Sequence, residues 1–347
     1  MVPVGLIERL PKWLFVVPMV LQWLLLGLRH RSLTLPTAAN PGIPTGGLVG
    51  EGKIDYLATM GPVARAAFAS TTSFLCRGKD DAATAELALQ NAGLAFPVIA
   101  KPDIGWCGFG VRLLHDRGDL AAYLDRFPRG ERVLLQRYLP QEGEAGLFYR
   151  REPGTAAGQV IGMVLRHAPH AVGDGVSSVA ELIARNPRLR RLGRDGRSEC
   201  CRDPASVPGP RQVVRLATIG STRVGGLYQD ATALITPALG AAIDAIARDM
   251  GDFHVGRFDL RYESWAALAA GKFTLIEVNG VGSEAVHAWD PRYSLRQVYA
   301  MVFAKQRLIF EIGAAMRRRG HRPTGLRDLA RLHRRQRWLI RRYPRSN

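Results

Sequence analysis

From Trp13 to Leu28 the chain carries no charged side chain, and Gln22 is its only strongly polar residue there. Arg9 and Lys12 precede this run; Arg29, His30 and Arg31 follow it. It is shorter than the roughly 20 residues that span a bilayer, and it contains Pro18. Trp13 and Trp23 are of the type that sits at membrane interfaces. Three uses fit: a helix lying in or on a membrane, a buried helix or homodimer contact, and a true span or signal.

Further along, apolar positions alternate between helical and extended spacing. Residues 32–50 are rich in Pro and Gly and read as a loop. A helix is predicted from Asp81 to Ala92, ending at Gly93, and a strand from Phe96 to Lys101. A helix from Arg117 to Arg126 leads to a strand from Val133 to Tyr138, and Gln159 to Arg166 is another strand. Ser178 followed by Glu181 is a capping-box pattern opening a helix to Arg185. Residues 186–212 read as an exposed excursion rich in Arg, Pro and Gly. Thr236 to Met250 is an amphipathic helix with Pro237 in its first turn. Strands and helices mix without a strict βαβ repeat, so the class is α+β.

Two strands then place charge on alternate positions. In Gly256-Arg257-Phe258-Asp259-Leu260-Arg261 the three charged residues share a face, and in Lys272-Phe273-Thr274-Leu275-Ile276-Glu277-Val278-Asn279-Gly280 Glu277 and Asn279 share one. Such alternation is the ordinary mark of a solvated face. If the strands pair as a hairpin, two carboxylates and an amide oxygen converge, a donor set suited to Mg²⁺. Arg257 beside them suits a phosphoryl group in transit.

Charge and cysteine content narrow the classes. Over 347 residues, 48 Lys and Arg stand against 30 Asp and Glu, for a net charge of +18. That points to anionic partners rather than to any fold. Twelve arginines lie between Arg317 and Asn347, either as a solvated helix and tail or as an adhesive for anionic lipid. Nucleic acid ranks behind both, because aromatic residues are sparse there and no nucleic-acid motif appears. Cys76, Cys107, Cys200 and Cys201 form no Cys-x-x-Cys pair, so neither zinc nor a disulfide framework is indicated.

A phosphate site is suggested upstream. Lys101 ends a strand, and the loop after it contains Gly105, Gly108 and Gly110, which let backbone N–H groups approach a phosphate. It is neither a Walker A loop nor a dinucleotide fingerprint. The edge Gln136-Arg137-Tyr138-Leu139, followed by Gly143-Glu144, offers backbone groups to a base and a carboxylate to a ribose; alone it is an ordinary strand and turn.

Taken in order, these motifs resemble the ATP-grasp superfamily, closest to its D-alanine–D-alanine ligase-like and cyanophycin synthetase-like members. The segment Val172-Gly173-Asp174-Gly175 through Glu181-Leu182-Ile183 is similar to one in the latter, and Gly220-Ser221, Gly225-Gly226 and Asp230-Ala231-Thr232 continue the likeness. It covers about residues 50 to 295. The resemblance implies an ATP-grasp fold of two α+β subdomains clamping ATP. It implies Lys101 and Lys53 on the phosphates of ATP, and Gly105, Gly108 and Gly110 as a lid. Gln136, Arg137 and Leu139 would line the adenine hinge, with Glu144 on the ribose. Asp259, Glu277 and Asn279 would hold one or two Mg²⁺ ions, and Arg257 would stabilise the transferred phosphoryl. Arg215 or Arg223 would add a phosphate contact, and Ser283 would bind a substrate carboxylate.

The chain departs from that family in places. The usual first α/β domain is replaced by the apolar segment and the Pro/Gly loop, so the family does not name the acid. Trp106 and Phe109 enlarge the glycine loop, and Gln136 stands where an acid is common. The expected organisation is 1–50, an apolar helix and loop; 51–180, the phosphate loop and hinge; 181–300, the metal half; and 301–347, a helix and Arg-rich tail. The implied activity is an ATP-dependent carboxylate–amine ligase acting on small molecules. The alternatives are a phosphotransferase on the same fold and a membrane-associated ATP sensor without turnover. His254 and His287 are read as structural or substrate-facing. The expected location is cytoplasmic, peripheral on the cytoplasmic face of a membrane.

Overall fold

The computed structural model describes residues 4–78, 81–194, 196–200 and 203–347. Cys201 lies outside the described residues. Helices α1 (Leu6–Arg9) and α2 (Lys12–Arg29) open the chain. Two 3₁₀ turns, Leu35–Ala38 and Pro44–Gly47, lead to α3 (Lys53–Thr59) and α4 (Pro62–Ala67). Then come β1 (Thr71–Leu75), α5 (Ala82–Asn91), β2 (Val98–Pro102), β3 (Arg112–Leu114), α6 (Arg117–Asp125) and β4 (Arg132–Arg137). The four strands form one antiparallel sheet in the order β1-β4-β2-β3. Leu89, Leu120 and Tyr123 bury their side chains with Phe74, Val98 and Val133 of that sheet.

A second sheet is built from β5 (Gly143–Arg150), β6 (Gln159–His167), β9 (Leu227–Asp230), β10 (Val255–Tyr262) and β11 (Thr274–Asn279). Its order is β11-β10-β5-β6-β9, all antiparallel. Helix α8 (Pro237–Asp249) covers one face, where Leu239 and Ile243 pack with Leu147, Met163 and Phe258. Thr236 caps it by accepting from the Leu239 N–H, as expected for a threonine ahead of Pro237. Between β6 and β9 lie the ribbon β7 (His170–Val172) and β8 (Val213–Arg215) and helix α7 (Val179–Arg185). The predicted capping box of Ser178 and Glu181 is present. Helix α9 (Trp265–Ala269) joins β10 to β11, and α10 (Leu295–Arg318) and α11 (Leu326–Ile340) follow.

The α+β class read from the sequence is the class observed. Several expectations change. The chain passes between sheets at residues 138–142, and β5 and β6 belong with β10 and β11 because Leu147 and Tyr149 pack under α8. The Pro/Gly loop is present and lies in the interior. Asn40 is wholly buried; its Oδ1 accepts from the His254 and Val255 N–H groups and its Nδ2 donates to Gly46 and Val255 carbonyls. The start of the 186–212 segment is anchored: Leu189 packs with Val179 and Leu216, and buried Arg188 donates to Glu8 of α1 at 2.8 Å.

The Arg-rich end is folded onto the first sheet. Leu332, Gln336, Leu339 and Tyr343 recur at helical spacing along α11 and its exit. Leu332 packs against Gly50, Gln336 Nε2 donates to the Gly105 carbonyl (3.1 Å), and Tyr343 Oη donates to the Ile104 carbonyl (2.6 Å). Most arginines of α11 stay on its exposed side.

Candidate active site

The predicted hairpin forms. Arg257 lies opposite Asn279 and Asp259 opposite Glu277 across the β10–β11 pair. A register shift follows at Asp259/Leu260, so that Leu260 pairs with Leu275 and Ile276 is left over as a bulge. That shift returns Leu275 and Leu260 together to the core while Asp259 and Glu277 share the other face. It also withdraws the Ile276 carbonyl from the ladder.

Two groups from the first sheet reach that carbonyl. Lys101 Nζ donates to it at 3.1 Å and Gln136 Nε2 at 3.3 Å. Lys101 also donates to Gln136 Oε1 at 2.6 Å. Burial lowers the Lys101 pKa to about 8, although nearby Glu277 works the other way. Lys53, at the first position of α3, lies 3.3 Å from Glu277 Oε1. It stands so close to Gly105 that a β-carbon there would come within 2.8 Å of its ammonium. Burial pushes the Glu277 pKa up, but Lys53 and Lys101 outweigh it and hold the carboxylate below its usual value.

Asp259 is buried among cations. Arg257 donates to both its oxygens, at 2.7 and 2.9 Å, and Arg166 of β6 donates at 3.0 Å. Asn279 Nδ2 adds a bond at 3.2 Å. Burial raises the Asp259 pKa and the two arginines more than offset it, so the group stays ionised. The donor chemistry fits a hard cation: two carboxylates and an amide, oxygen throughout, on adjacent strand positions. Guanidinium and ammonium groups now hold the positive charge that such an ion would share. Among the described residues no cluster of three or more His, Cys, Asp or Glu stands ready for a metal, so the set depends on Asn279.

The glycine loop lies beside this cluster. Gly108 (φ +71°) and Gly110 (φ +75°) take left-handed backbone, and a β-carbon on Gly110 would press within 2.7 Å of Pro102. Of the two candidate arginines, Arg223 meets the loop. Its guanidinium lies 4.2 Å from the Phe109 ring centroid and donates to the Cys107 carbonyl at 3.4 Å. Arg215 instead turns back on its own chain, donating to the Ala217 and Thr218 carbonyls at 3.0 and 2.9 Å.

Three further candidate groups are engaged within the protein itself. Glu144 is not an open carboxylate for a ribose: Arg166 donates to one oxygen at 3.2 Å and Arg261 to the other at 3.1 Å. Ser283 donates its hydroxyl to the Gly280 carbonyl at 2.7 Å, closing its own turn rather than facing a substrate. The adenine edge is closed. Gln136 is spent on Lys101, Leu139 is buried and Arg137 points outward. Between the sheets lies a cavity of about 10 Å³, lined by Lys53, Tyr56, Lys101, Gln136 and Glu277. Both histidines are structural in place: His254 is buried next to Asn40, and His287 packs on Gly162.

The sequence reading missed Arg166, Glu51 and Lys305. Arg166 is the charge that interrupts the apolar run Ile161 to Leu165, a signal that was present. Lys305 occupies an inner position of α10, in step with Val298, Ile309, Ile312 and Met316, and donates to the Val281 carbonyl at 2.5 Å. Burial lowers its pKa to about 8, with Arg257 adding to the fall. Glu51 has an oxygen that finds no hydrogen-bond partner among the described residues, and burial raises its pKa to about 7.

No protein-family model matches the chain, and no curated protein matches it. Among solved structures it is similar to a bifunctional glutathione synthetase from Pasteurella multocida, with 20% identity over 73% of this chain and 36% of that one, TM-score 0.34. It is similar to a D-cycloserine synthetase, with 16% identity over 78% and 70%, TM-score 0.40. It is similar to a D-Ala:D-Ser ligase from Enterococcus faecalis, with 13% identity over 76% and 64%, TM-score 0.41. The chain spans 36% to 70% of the length of these proteins. Likenesses of this size leave the functional reading to the site's own geometry.

Proposed function

We propose that the chain is an ATP- and Mg²⁺-dependent ligase joining a small carboxylate to an amine through an acyl phosphate. One observation carries this reading. Lys53 pairs with Glu277 and Lys101 sits beside it on the Ile276 carbonyl, next to Asp259 and Asn279, at the seam between two antiparallel sheets. The ATP-grasp resemblance of the sequence supplies the order of the motifs.

In this reading Lys53, Lys101 and the loop through Gly105, Gly108 and Gly110 take the phosphates of ATP, and the edge Gln136, Arg137, Leu139 takes the base. Asp259, Glu277 and Asn279 would hold one or two Mg²⁺ ions, which when bound neutralise charge on the β and γ phosphates. The substrate carboxylate attacks the γ-phosphorus. A new O–P bond forms as the bond to the β–γ bridging oxygen breaks, and ADP leaves with that electron pair. Arg257 stabilises the charge on the transferring phosphoryl. The amine then attacks the acyl carbon, phosphate leaves with the C–O electron pair, and the amine's surplus proton passes to phosphate or water. No side-chain nucleophile is required; positioning and charge supply the rate.

The test is ADP release across a panel of carboxylate and amine pairs, with product mass measured alongside. ADP should appear with one acid–amine pair, with an amide as product. Glu277→Gln should lower kcat/KM about a hundredfold or more, the size of loss typical of one charge-stabilising group. Equal release by the variant would overturn the metal assignment. A stable phosphorylated acid would make the chain a phosphotransferase, and tight ATP binding without turnover would make it a sensor.

A further inference from the structure

We infer that the exposed half of α2 is a docking surface for an anionic lipid bilayer, on which the helix lies in the membrane plane. The helix is apolar nearly all round, and such a helix is normally buried or in lipid. One side is used: Phe15 stacks on Tyr299 of α10 at 5.5 Å, Trp23 meets Phe310 at 5.0 Å, and Gln22 Nε2 donates to the Phe303 carbonyl at 2.9 Å. From the α10 side, Gln306 Nε2 donates to the Met19 carbonyl at 3.1 Å. The opposite half holds Trp13, Val17, Leu21, Leu24, Leu25 and Leu28, and Trp13, Leu25 and Leu28 are 69%, 67% and 74% exposed. A soluble surface rarely leaves a contiguous apolar patch of this kind without a partner.

Charge decides the partner. Exposed Arg9 and Lys12 stand at one end of α2, and exposed Arg29 and Arg31 at the other. On α10, Arg296, Arg307 and Arg318 follow each other at intervals of eleven residues, which keeps them on one line of the helix. That line runs beside Tyr299, Phe303 and Phe310, which hold α2; Glu311 lies near it. Glu8, the acid nearest the start of α2, is buried in ion pairs with Arg188 and Arg191 at 2.8 and 2.6 Å. An apolar strip bracketed by cations matches the headgroup and acyl layers of anionic lipid. A second copy of this strip would bring the same cations against each other. The helix does not cross. Its 18 residues are long and apolar enough to span, but a crossing would strip Gln22 and Met19 from α10.

The experiment is flotation of the full chain with vesicles of phosphatidylcholine, with and without phosphatidylglycerol, at low and high salt. Sedimentation velocity of the same samples without lipid runs beside it. The wild type should float with the anionic vesicles, and high salt should weaken this. Leu21→Glu with Leu25→Glu, both on the exposed half, should abolish flotation while leaving the circular dichroism and melting unchanged. Replacing Arg296, Arg307 and Arg318 by Gln should lower the vesicle affinity about fivefold per arginine. Absence of flotation at low salt would overturn the proposal. So would flotation that the Leu21 and Leu25 changes leave intact, or a dimer that those changes dissolve in a chain that does not float. None of these outcomes depends on catalysis, so the ligase reading stands or falls separately.

Discussion

Lys101 combines burial with two polar partners, Gln136 and the Ile276 carbonyl, and no full counter-charge in direct contact. With a pKa held near 8, it is partly deprotonated just above neutrality. A polyphosphate at this position would restore the charged form. ATP binding at pH 8 should therefore take up a fraction of a proton, seen as a dependence of the calorimetric heat on the buffer's ionisation enthalpy. Lys101→Met should remove that uptake; an unchanged uptake would place the titrating group elsewhere. Glu51 behaves oppositely. Its folded pKa of about 7 lies above its ordinary value of 4.5, so the folded state holds the proton more tightly. Stability then falls as pH rises from the lower value to the higher, by at most ~3 kcal/mol at about 1.4 kcal/mol per unit. Glu51→Gln should flatten the melting temperature across that window and raise it at pH 8. A variant that melts like the wild type at pH 8 would refute the assignment.

The loop of residues 32–50 is the element whose nature was least legible. Its Pro and Gly content marks a break in regular structure, but the full satisfaction of Asn40 depends on His254 and Val255, more than 200 residues away. Asn40→Ala should cost about 3 kcal/mol or more, since it strands several buried backbone groups at once. Equilibrium denaturation measures this, and a loss under about 1 kcal/mol would show that water replaces the amide. The strands β10 and β11 were legible because period-two charge against apolar neighbours is a local signal. The bulge at Ile276 was not, because register is set by the pairing of Leu260 with Leu275 rather than by either strand alone. Nothing near Glu144 in sequence shows Arg166 and Arg261 beside it; β5, β6 and β10 bring them together. Arg215 and Ser283 are turned onto their own backbone by a shorter-range cause. Turn geometry aims both side chains at neighbouring carbonyls, and a motif read by spacing does not see direction.

The two sheets meet directly across the candidate site. Lys101 and Gln136 bind the Ile276 carbonyl, Lys53 pairs with Glu277, and the remaining cavity of about 10 Å³ has room for about one water. A nucleotide needs a pocket of some hundreds of Å³. ATP binding therefore requires the first sheet to part from the second, with polyphosphate and metal replacing the contacts that now bridge them. The segment 138–142 is the peptide link between the sheets at this edge and is the natural hinge. The far side of the molecule resists such motion, because α11 and Tyr343 clamp the glycine loop through Gly105 and Ile104, and Tyr343 stacks on Phe127 at 5.4 Å. Opening should then be a rotation about 138–142 that carries the glycine loop and α11 together. A nonhydrolysable ATP analogue with Mg²⁺ should increase the radius of gyration in solution scattering. It should also speed amide exchange in β11 near Ile276 while leaving α11 protected. Pro140→Gly, which loosens the link, should raise the analogue's on-rate without touching a phosphate contact. Tight analogue binding with neither expansion nor faster exchange at Ile276 would mean that the nucleotide enters somewhere other than this seam.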